Sequence, residues 1–265
     1  MDPARLRSGD PIRYNPGVSH YEKERMRFAS VPFSKPSDRH DFEHPLSAWG
    51  NYCNENRELR RTNYTVPHSK LEIVREEAVW KGQFQASNGT KAEVIVWKGA
   101  VERLEIDAIV NAANETLLGG GGVDQAIHQA AGEMLVKECA HIKGGCEVGE
   151  AKMTKGYDLP ANYVLHTVGP ILIDNSTPDD EALKKCYESC IELCKQYDLK
   201  SVAFPCISCG FYGFPVERSA EVVAKYIKEE CLEHLHKDMT IVLCVFDDIQ
   251  TENYVRQMQN ILGTK

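Results

Sequence analysis

The chain of 265 residues lacks any long hydrophobic run. None of its apolar stretches approaches the ~20 residues that a helix needs to span a bilayer, so we expect no membrane insertion. The amino terminus has no hydrophobic signal core, and Asp2, Asp10 and Glu22 among its arginines are atypical of a mitochondrial presequence. Without an export signal, the ten cysteines should be reduced thiols. We therefore expect a cytoplasmic or nuclear protein.

Positive charge is also scarce, since the formal net charge is −8. The first 70 residues carry a small positive excess, so the remainder is more acidic than the whole chain. Such an acidic body is a poor partner for bare nucleic acid. If it binds an anion, it must do so through backbone N–H groups and helix dipoles rather than through a cluster of lysines.

Repeats and low-complexity tracts are absent, and apolar runs instead alternate with segments of helical periodicity after a turn at Gln85–Thr90. The apolar runs are Ala92–Trp97, Ala108–Ala113, Tyr163–Val168, Ser201–Cys206 and Thr240–Phe246. The helical segments are 123–140, 179–197, 216–235 and 250–262. This alternation predicts an α/β protein in three layers, with a mainly parallel sheet covered on both faces. Ligands should collect at the carboxyl ends of the strands.

The amino-terminal part of the chain is less regular. Residues 1–45 contain too many prolines for a long helix. The segment from Leu46 to Arg60 predicts a short amphipathic helix with three residues roughly on one side, Trp49, Cys53 and Leu59. Leu71–Val79 has the pattern of an edge strand. We interpret residues 1–77 as an extension, partly helical or irregular, that precedes one domain at 78–265.

The most informative stretch starts with the apolar run that ends near Asn111 and Asn114. Four consecutive glycines, Gly119–Gly122, follow, and helical spacing begins at Val123. A strand, a glycine loop and a helix amino terminus in this order form an anion site, although a surface turn would share the glycines. No Gly-Lys-Ser/Thr ends the loop, so it is not a Walker motif and does not indicate a triphosphate.

Polar side chains flank this glycine loop on both sides. Asn114 precedes it, Asp124 lies in the first turn of the helix, and His128 follows one turn later on the same face. An amide, a carboxylate and an imidazole are thus expected around one phosphate-binding loop. This set indicates a nucleotide-like ligand with a second polar end.

A second glycine loop between a strand and a helix follows the strand at Ser201–Cys206. Here Gly210 and Gly213 bracket two aromatic residues just before the helix that starts near Val216. Taken alone, this is an ordinary glycine and aromatic turn. Paired with the first loop, it predicts the other side of a diphosphate clamp, with flat apolar walls for a sugar or a base.

These motifs together resemble the macrodomain family, and specifically its MacroD type. The resemblance rests on Asn-Ala-Ala-Asn, Leu-Leu-Gly-Gly-Gly-Gly-Val-Asp and Ile-His-x-Ala-Ala-Gly within residues 107–132. Further matches begin at Gly149, Gly156, His166 and Ala203. The likeness covers residues 92–262 and leaves out the first ninety. It implies an α/β/α sandwich with a mixed central sheet that binds ADP-ribose.

The resemblance also implies the site residues. The catalytic residues it implies are Asn114, which binds the distal ribose, Asp124, which orients or deprotonates water, and His128, which holds Asp124. The ligand-binding residues it implies are Asp107, Ala108, Ile109, Asn111, Gly120, Gly121, Gly122, Val123, Ser208, Cys209, Gly210, Phe211, Tyr212 and Phe246. Within that set, Asp107 and Phe246 are expected at the adenine. Cys209 and Gln125 depart from the family pattern, which usually has threonine and a small residue there.

Neither a metal nor a cofactor is expected. Cys206-x-x-Cys209 has no second such pair and no paired histidines beside it. Zinc-dependent macrodomains carry cysteine and histidine in the first loop, where this chain has only glycines. Cys186, Cys190 and Cys194 lie on one helix face and are expected in the core. His166 is expected to be a satisfied core or loop-organising histidine.

The resemblance implies a hydrolase that removes mono-ADP-ribose from acidic side chains of proteins. O-acetyl-ADP-ribose, another ester of the same ribose, is a plausible second substrate. Two other interpretations stay open. The chain could be a reader that binds ADP-ribose without cleaving it, or, less in keeping with its acidic body, a surface for RNA or poly(ADP-ribose).

Overall fold

The computed structural model describes residues 20–30, 41–43, 45–61, 64, 66–173 and 176–263. Much of the proline-rich segment lies outside these residues. The strands are β1 Ser69–Lys70, β2 Trp80–Gln85, β3 Lys91–Lys98, β4 Leu104–Glu105, β5 Ala108–Ala113, β6 Ala151–Lys155, β7 Tyr163–Val168, β8 Ser201–Phe204 and β9 Met239–Val245. The helices are α1 His20–Ala29, α2 Leu46–Glu55, α3 Arg57–Arg61, α4 Leu71–Glu76, α5 Val123–Ala131, α6 Glu133–His141, α7 Asp180–Gln196, α8 Val216–Tyr226, α9 Leu232–His234 and α10 Asp248–Leu262. A π-helical turn, Ile227–Cys231, joins α8 to α9.

Seven strands form the central sheet, in the order β2-β3-β9-β8-β5-β7-β6. The five inner strands are parallel, and β2 and β6 pair antiparallel at the two edges. The inner strands are the apolar runs that the sequence marks out, because both of their faces are buried. Helices α7, α8 and α10 pack on one face, and α5 and α6 on the other. The predicted three-layer α/β/α fold with a mixed, mainly parallel sheet is confirmed.

Several predicted elements differ from those observed. Leu71–Val79 is not an edge strand, because residues 71–76 form α4. The edge strand is instead β2, whose alternating burial at Trp80–Gln85 the apolar-run criterion does not detect. The helix predicted over 123–140 is two helices, since Gly132 adopts a φ of 78° that ends α5 and starts α6.

The amino-terminal extension packs against the body where the structure describes it. Trp49 is 1% exposed and donates from Nε1 to the Asn162 carbonyl at 2.7 Å. Arg60 is also buried and donates to the carbonyl oxygens of Tyr157 and Leu159, each at 3.0 Å. The predicted amphipathic helix is split into α2 and α3, and Leu59 points outward with 64% exposure. The extension therefore covers the edge of the sheet opposite the strands' carboxyl ends.

Among the described residues, no helix is both long enough and apolar enough to cross a membrane.

Candidate active site

The carboxyl ends of the five parallel strands meet in a cavity of about 860 Å³, within the usual range of ~300–1,000 Å³ for small-molecule sites. Its lining residues follow β3, β5, β7, β8 and β9 in turn, together with the start of α5. They are Gly99–Glu102, Ala112–Asn114, Gly120–Asp124, Ala126, Gly169, Pro205, Cys206, Ser208, Gly210–Tyr212, Cys244, Phe246 and Gln250. The convergence follows from topology, because parallel strands end on the same edge of a sheet.

The first glycine loop lets two polar side chains come close together. A methyl group on Gly120 would lie 2.9 Å from Asp124 Oδ2 and 3.1 Å from Asn114 Nδ2. Only glycine leaves room for both side chains at this point. Gly121, by contrast, faces open space, since an added methyl group would meet nothing within 4 Å. The backbone at Gly121 is therefore accessible to a ligand.

The cavity offers an anion backbone groups rather than cations. None of the described residues that line it is lysine or arginine. Helix α5 begins at its wall, directly after Gly122, so its free N–H groups and the positive end of its dipole face the cavity. The cavity thus offers an anion the kind of site that the sequence predicts, made of dipoles and backbone amides.

Asp124 is buried beside this helix amino terminus, with 2% exposure. Its Oδ1 accepts a hydrogen bond from Asn111 Nδ2 at 2.7 Å and lies 3.4 Å from His128 Nε2. Burial raises the pKa of the Asp124 carboxyl, while the Asn111 N–H and His128 act in the opposite direction. Burial also lowers the pKa of His128, against the influence of Asp124. The lowered pKa of His128 leaves its imidazole neutral at physiological pH.

The other carboxylate oxygen of Asp124 differs from Oδ1 in lacking a partner in the part of the chain that the structure describes. Oδ2 is buried and has no hydrogen-bond partner among the described residues. It faces Gly120 on the cavity wall. A buried carboxylate oxygen without a partner costs free energy, so its position indicates a role in binding or orienting a hydroxyl group or a water molecule.

Asn114 shapes the loop as well as facing the cavity. Its Oδ1 accepts from the Thr116 N–H at 2.9 Å, and its Nδ2 donates to the Gly119 carbonyl at 2.9 Å. One amide hydrogen makes no bond among the described residues and remains for a ligand. The structure thus brings Asn114 and Asp124 together in the cavity, as predicted. His128 lies behind them and contacts Asp124 rather than the cavity.

The second loop forms the opposite wall. Ser208 takes a φ of 62°, and the Phe214 N–H donates to its carbonyl at 3.0 Å, which closes the loop. Burial, together with the carboxylates of Glu115 and Asp124, raises the pKa of the Tyr212 hydroxyl. Tyr212 is therefore on the side of the cavity where Asp124 lies. The Phe211 side chain is fully exposed at the rim.

Of the two cysteines at the second loop, the structure places Cys206 and not Cys209 on the cavity wall. Cys206 Sγ lies 3.2 Å from Gln250 Oε1. Burial raises the pKa of Cys206 well above its usual value and that of Cys209 to about 11. Both are therefore neutral thiols at physiological pH. Cys209 does not line the cavity with its neighbours as the ligand set implies.

Three other members of that set lie at the wrong end of β5. Asp107 precedes the strand and accepts a hydrogen bond from the Lys200 N–H at 2.8 Å. Ala108 and Ile109 are fully buried in the core. At ~3.3 Å per residue, Asp107 is roughly 20 Å from the end of the strand. The structure does not bring Asp107 to the cavity, so the predicted contact between Asp107 and adenine is wrong.

Asn111 also lies away from the cavity wall, where it is predicted to bind the ligand. It is fully buried, lines no part of the cavity and bonds to Asp124. Phe246 does lie in the cavity, with its ring 78% exposed.

Sequence reasoning missed the stretch Gly99–Glu102, which follows β3 and lines the cavity. The rule that placed Asn114 after β5 would have found it, since this stretch follows the apolar run Ala92–Trp97. Gln250 gives no such signal. It lies on α10, and its Oε1 accepts from the Phe246 N–H at 2.8 Å.

His128, Cys139 and His166 bring possible metal-ligand atoms within 4.8 Å of one another beneath the cavity. Both ring nitrogens of His166 already lie in hydrogen bonds, to Asn111 and Thr154. Burial raises the pKa of the Cys139 thiol well above its usual value, whereas a metal requires a thiolate. We assign this cluster to hydrogen bonding and not to a metal.

The fold and this cavity have clear counterparts among known proteins. The family model described as Macro domain matches residues 110–223. A macro domain-containing protein of Methanosarcina mazei is 46% identical over 153 residues, which cover 58% of this chain and 81% of that protein. The chain belongs to the macrodomain family.

The human protein named ADP-ribose glycohydrolase MACROD2 is 43% identical to this macrodomain over 221 residues, which cover 78% of the chain and 51% of that protein. The chain thus spans about half the length of the curated relatives it matches first. The match also extends ahead of residue 92, so the sequence likeness is wider than expected. A crystal structure described as the Trypanosoma brucei macrodomain in complex with ADP-ribose superposes with a TM-score of 0.72 and 34% identity, covering 88% of this chain and 94% of that one.

Proposed function

We propose that this macrodomain binds ADP-ribose in the cavity and hydrolyses the ester that links it to an acidic side chain of a protein. One observation carries the proposal. The buried Asp124 carboxylate has an oxygen without a partner that faces a cavity walled by two amide-rich loops. Relatives named ADP-ribose glycohydrolases and a related macrodomain bound to ADP-ribose support it.

The diphosphate fits between the two loops. Gly120–Val123 and the start of α5 supply N–H groups on one side, and Ser208 with Gly210–Tyr212 on the other. Backbone amides and a helix dipole bind phosphate without lysine or arginine. Phe246, which follows β9 two strands away from β5, offers its exposed ring to the base.

Asp124 and Asn114 then face the distal ribose. The free Asn114 amide hydrogen holds a ribose hydroxyl and fixes its orientation. Asp124 Oδ2 accepts a hydrogen bond from water and orients or deprotonates it. Water adds its hydroxyl to one fragment of the ester and its proton to the other, which yields ADP-ribose and a free carboxyl group. His128 holds Asp124 in place from the opposite side.

An ADP-ribose reader is the alternative from another class of function. The two loops would serve binding equally well. The buried Asp124 carboxylate favours the enzyme, because a reader of a dianionic ligand gains nothing from a negative charge beside it. O-acetyl-ADP-ribose presents the same ribose and an ester, so we include it as a second substrate.

The test is incubation of the wild-type protein with a glutamate-linked mono-ADP-ribosylated protein, with released ADP-ribose quantified by chromatography. An arginine-linked substrate serves as the control, since it contains no ester. We expect release from the glutamate linkage alone. Tight binding of ADP-ribose by calorimetry, with no release from any ester, would establish the reader instead.

A further inference from the structure

Behind Asp124, a line of hydrogen bonds crosses the sheet from its edge to the cavity. Asn111 Nδ2 lies 2.7 Å from Asp124 Oδ1 and 3.1 Å from His166 Nδ1. His166 Nε2 lies 2.9 Å from Thr154 Oγ1. Asn111, His166 and Thr154 are 0% exposed and belong to three neighbouring strands, β5, β7 and β6. None of these three lines the cavity.

The direction of this chain follows from the chemistry of its members. An ionised carboxylate only accepts, so the Asn111 atom beside Asp124 must be the amide nitrogen, which donates. The same nitrogen then donates to His166, whose Nδ1 must carry no proton. Burial lowers the pKa of His166 to about 3, so the ring is neutral and its proton is on Nε2. That proton goes to Thr154 Oγ1, and the Thr154 hydroxyl hydrogen goes to the Lys155 carbonyl at 3.3 Å.

The chain also has a reversed form. If His166 carried its proton on Nδ1, Asn111 would have to turn and present its oxygen. That oxygen would then face Asp124 Oδ1, and two acceptors at this distance repel each other unless the carboxyl is protonated. The tautomer of His166 and the protonation state of Asp124 are therefore linked through one amide group. In the observed form, Asn111 donates one amide hydrogen to Asp124 and the other to His166, and the donors beyond Asn111 point away from Asp124 toward the Lys155 carbonyl.

We propose that Thr154 and His166 are positioning residues, which keep Asp124 ionised by fixing the direction of this hydrogen-bond chain. Thr154 is the end that sets the direction, because its hydroxyl accepts from Nε2 while its own hydrogen is held by a backbone carbonyl. The inference rests on the proposed role of Asp124 in hydrolysis.

Other groups face the chain and stay unchanged in the test below. His128 Nε2 lies 3.4 Å from Asp124 Oδ1, on the same helix. Cys139 Sγ, from α6, lies 3.7 Å from His166 Nε2, and the His128 and His166 ring centres are 6.2 Å apart. Tyr212, on the second loop, is close enough to Asp124 for this carboxylate to help raise the pKa of its hydroxyl. Of these groups, Cys139 shares His166 Nε2 with Thr154, so a substitution at Thr154 acts on the chain through His166.

The experiment compares Thr154→Val with Thr154→Ser. Valine keeps the shape and removes the hydroxyl, whereas serine keeps the hydroxyl. Wild-type kcat on the glutamate ester should fall as the pH is lowered through the pKa of Asp124. We expect Thr154→Val to move this acidic limb up by about one pH unit, with KM within about twofold, and Thr154→Ser to follow the wild type. Nitrogen NMR of His166 should show the Nε2–H tautomer in wild type and Nδ1–H in Thr154→Val.

Carbon NMR titration measures the protonation of the Asp124 carboxyl directly and needs no turnover. It therefore tests this inference independently of the proposed function. A folded Thr154→Val protein with a wild-type tautomer and a wild-type Asp124 titration would overturn the inference. Full activity of Asp124→Asn would instead overturn the catalytic role of Asp124. If Thr154→Val does not fold, Thr154→Ala tests the same loss of the hydroxyl with a smaller side chain.

Discussion

At the scale of single residues, Asp124 separates turnover from binding. Asp124→Asn keeps an oxygen for the Asn111 N–H at 2.7 Å but removes the charge that orients or accepts a proton from water. Loss of a general base costs ~10²–10⁴ in rate, and loss of one ligand hydrogen bond costs ~1 kcal/mol, about fivefold in affinity. We expect ester hydrolysis to fall at least a hundredfold (~10²) while ADP-ribose affinity, measured by calorimetry, changes modestly. His128→Ala should slow turnover less, because His128 acts through Asp124. Hydrolysis by Asp124→Asn at the wild-type rate would remove Asp124 from the mechanism.

The Gly121→Glu substitution tests whether the first glycine loop binds the diphosphate. An added side chain meets no protein atom within 4 Å, and the backbone does not require a positive φ, so Gly121→Glu should fold normally. Its carboxylate would occupy the path of the diphosphate and repel it. We expect ADP-ribose binding to be lost in calorimetry with an unchanged melting temperature. Gln129→Glu, an exposed change of equal charge on α5, is the control and should bind normally. Unaltered binding by Gly121→Glu would place the diphosphate elsewhere.

At the scale of elements, the break at Gly132 separates α5 from α6. This residue has a φ of 78°, and a methyl group there would lie 3.0 Å from Asp158 Oδ2. Alanine at such a φ costs ~1–2 kcal/mol, and the contact adds to that cost. Gly132→Ala should therefore lower the free energy of unfolding by more than Gly144→Ala, which shares a φ of 82° but meets no atom. Urea denaturation of both variants measures the difference. Equal losses would show that the Asp158 contact contributes nothing.

At the scale of the whole molecule, the described residues of the amino-terminal extension pack on the macrodomain and do not line the cavity. Trp49→Ala removes a side chain that is 1% exposed in the core and bonded to Asn162, and such changes cost ~3–5 kcal/mol. Leu59→Ala, at 64% exposure on the same extension, is the control and should cost little. We expect Trp49→Ala to lower the urea midpoint strongly while ADP-ribose affinity of the folded protein stays within about tenfold of wild type. A larger loss of affinity would make the extension part of the site.

The boundary between the extension and the macrodomain, placed between residues 77 and 78, stays a prediction. The described residues of the extension supply no lining of the cavity, so a chain beginning at Ala78 keeps the whole site. It loses Trp49 and Cys53 from the core, however, so we expect it to bind ADP-ribose with reduced stability.

The sequence by itself determined the layers, the five inner strands and both loops, because buried parallel strands, glycine runs and helix starts leave local patterns. It also placed Asn114 and Asp124 together, since both flank one loop. Only the tertiary structure decided the rest. Asp107 directly precedes β5, at the end of the strand far from the cavity, and Asn111 lies within β5 but faces the interior. Gly99–Glu102 reach the cavity because strands distant in sequence end side by side. The link from Thr154 through His166 to Asp124 joins three strands and a helix, and no local pattern encodes a contact between side chains so far apart in the chain.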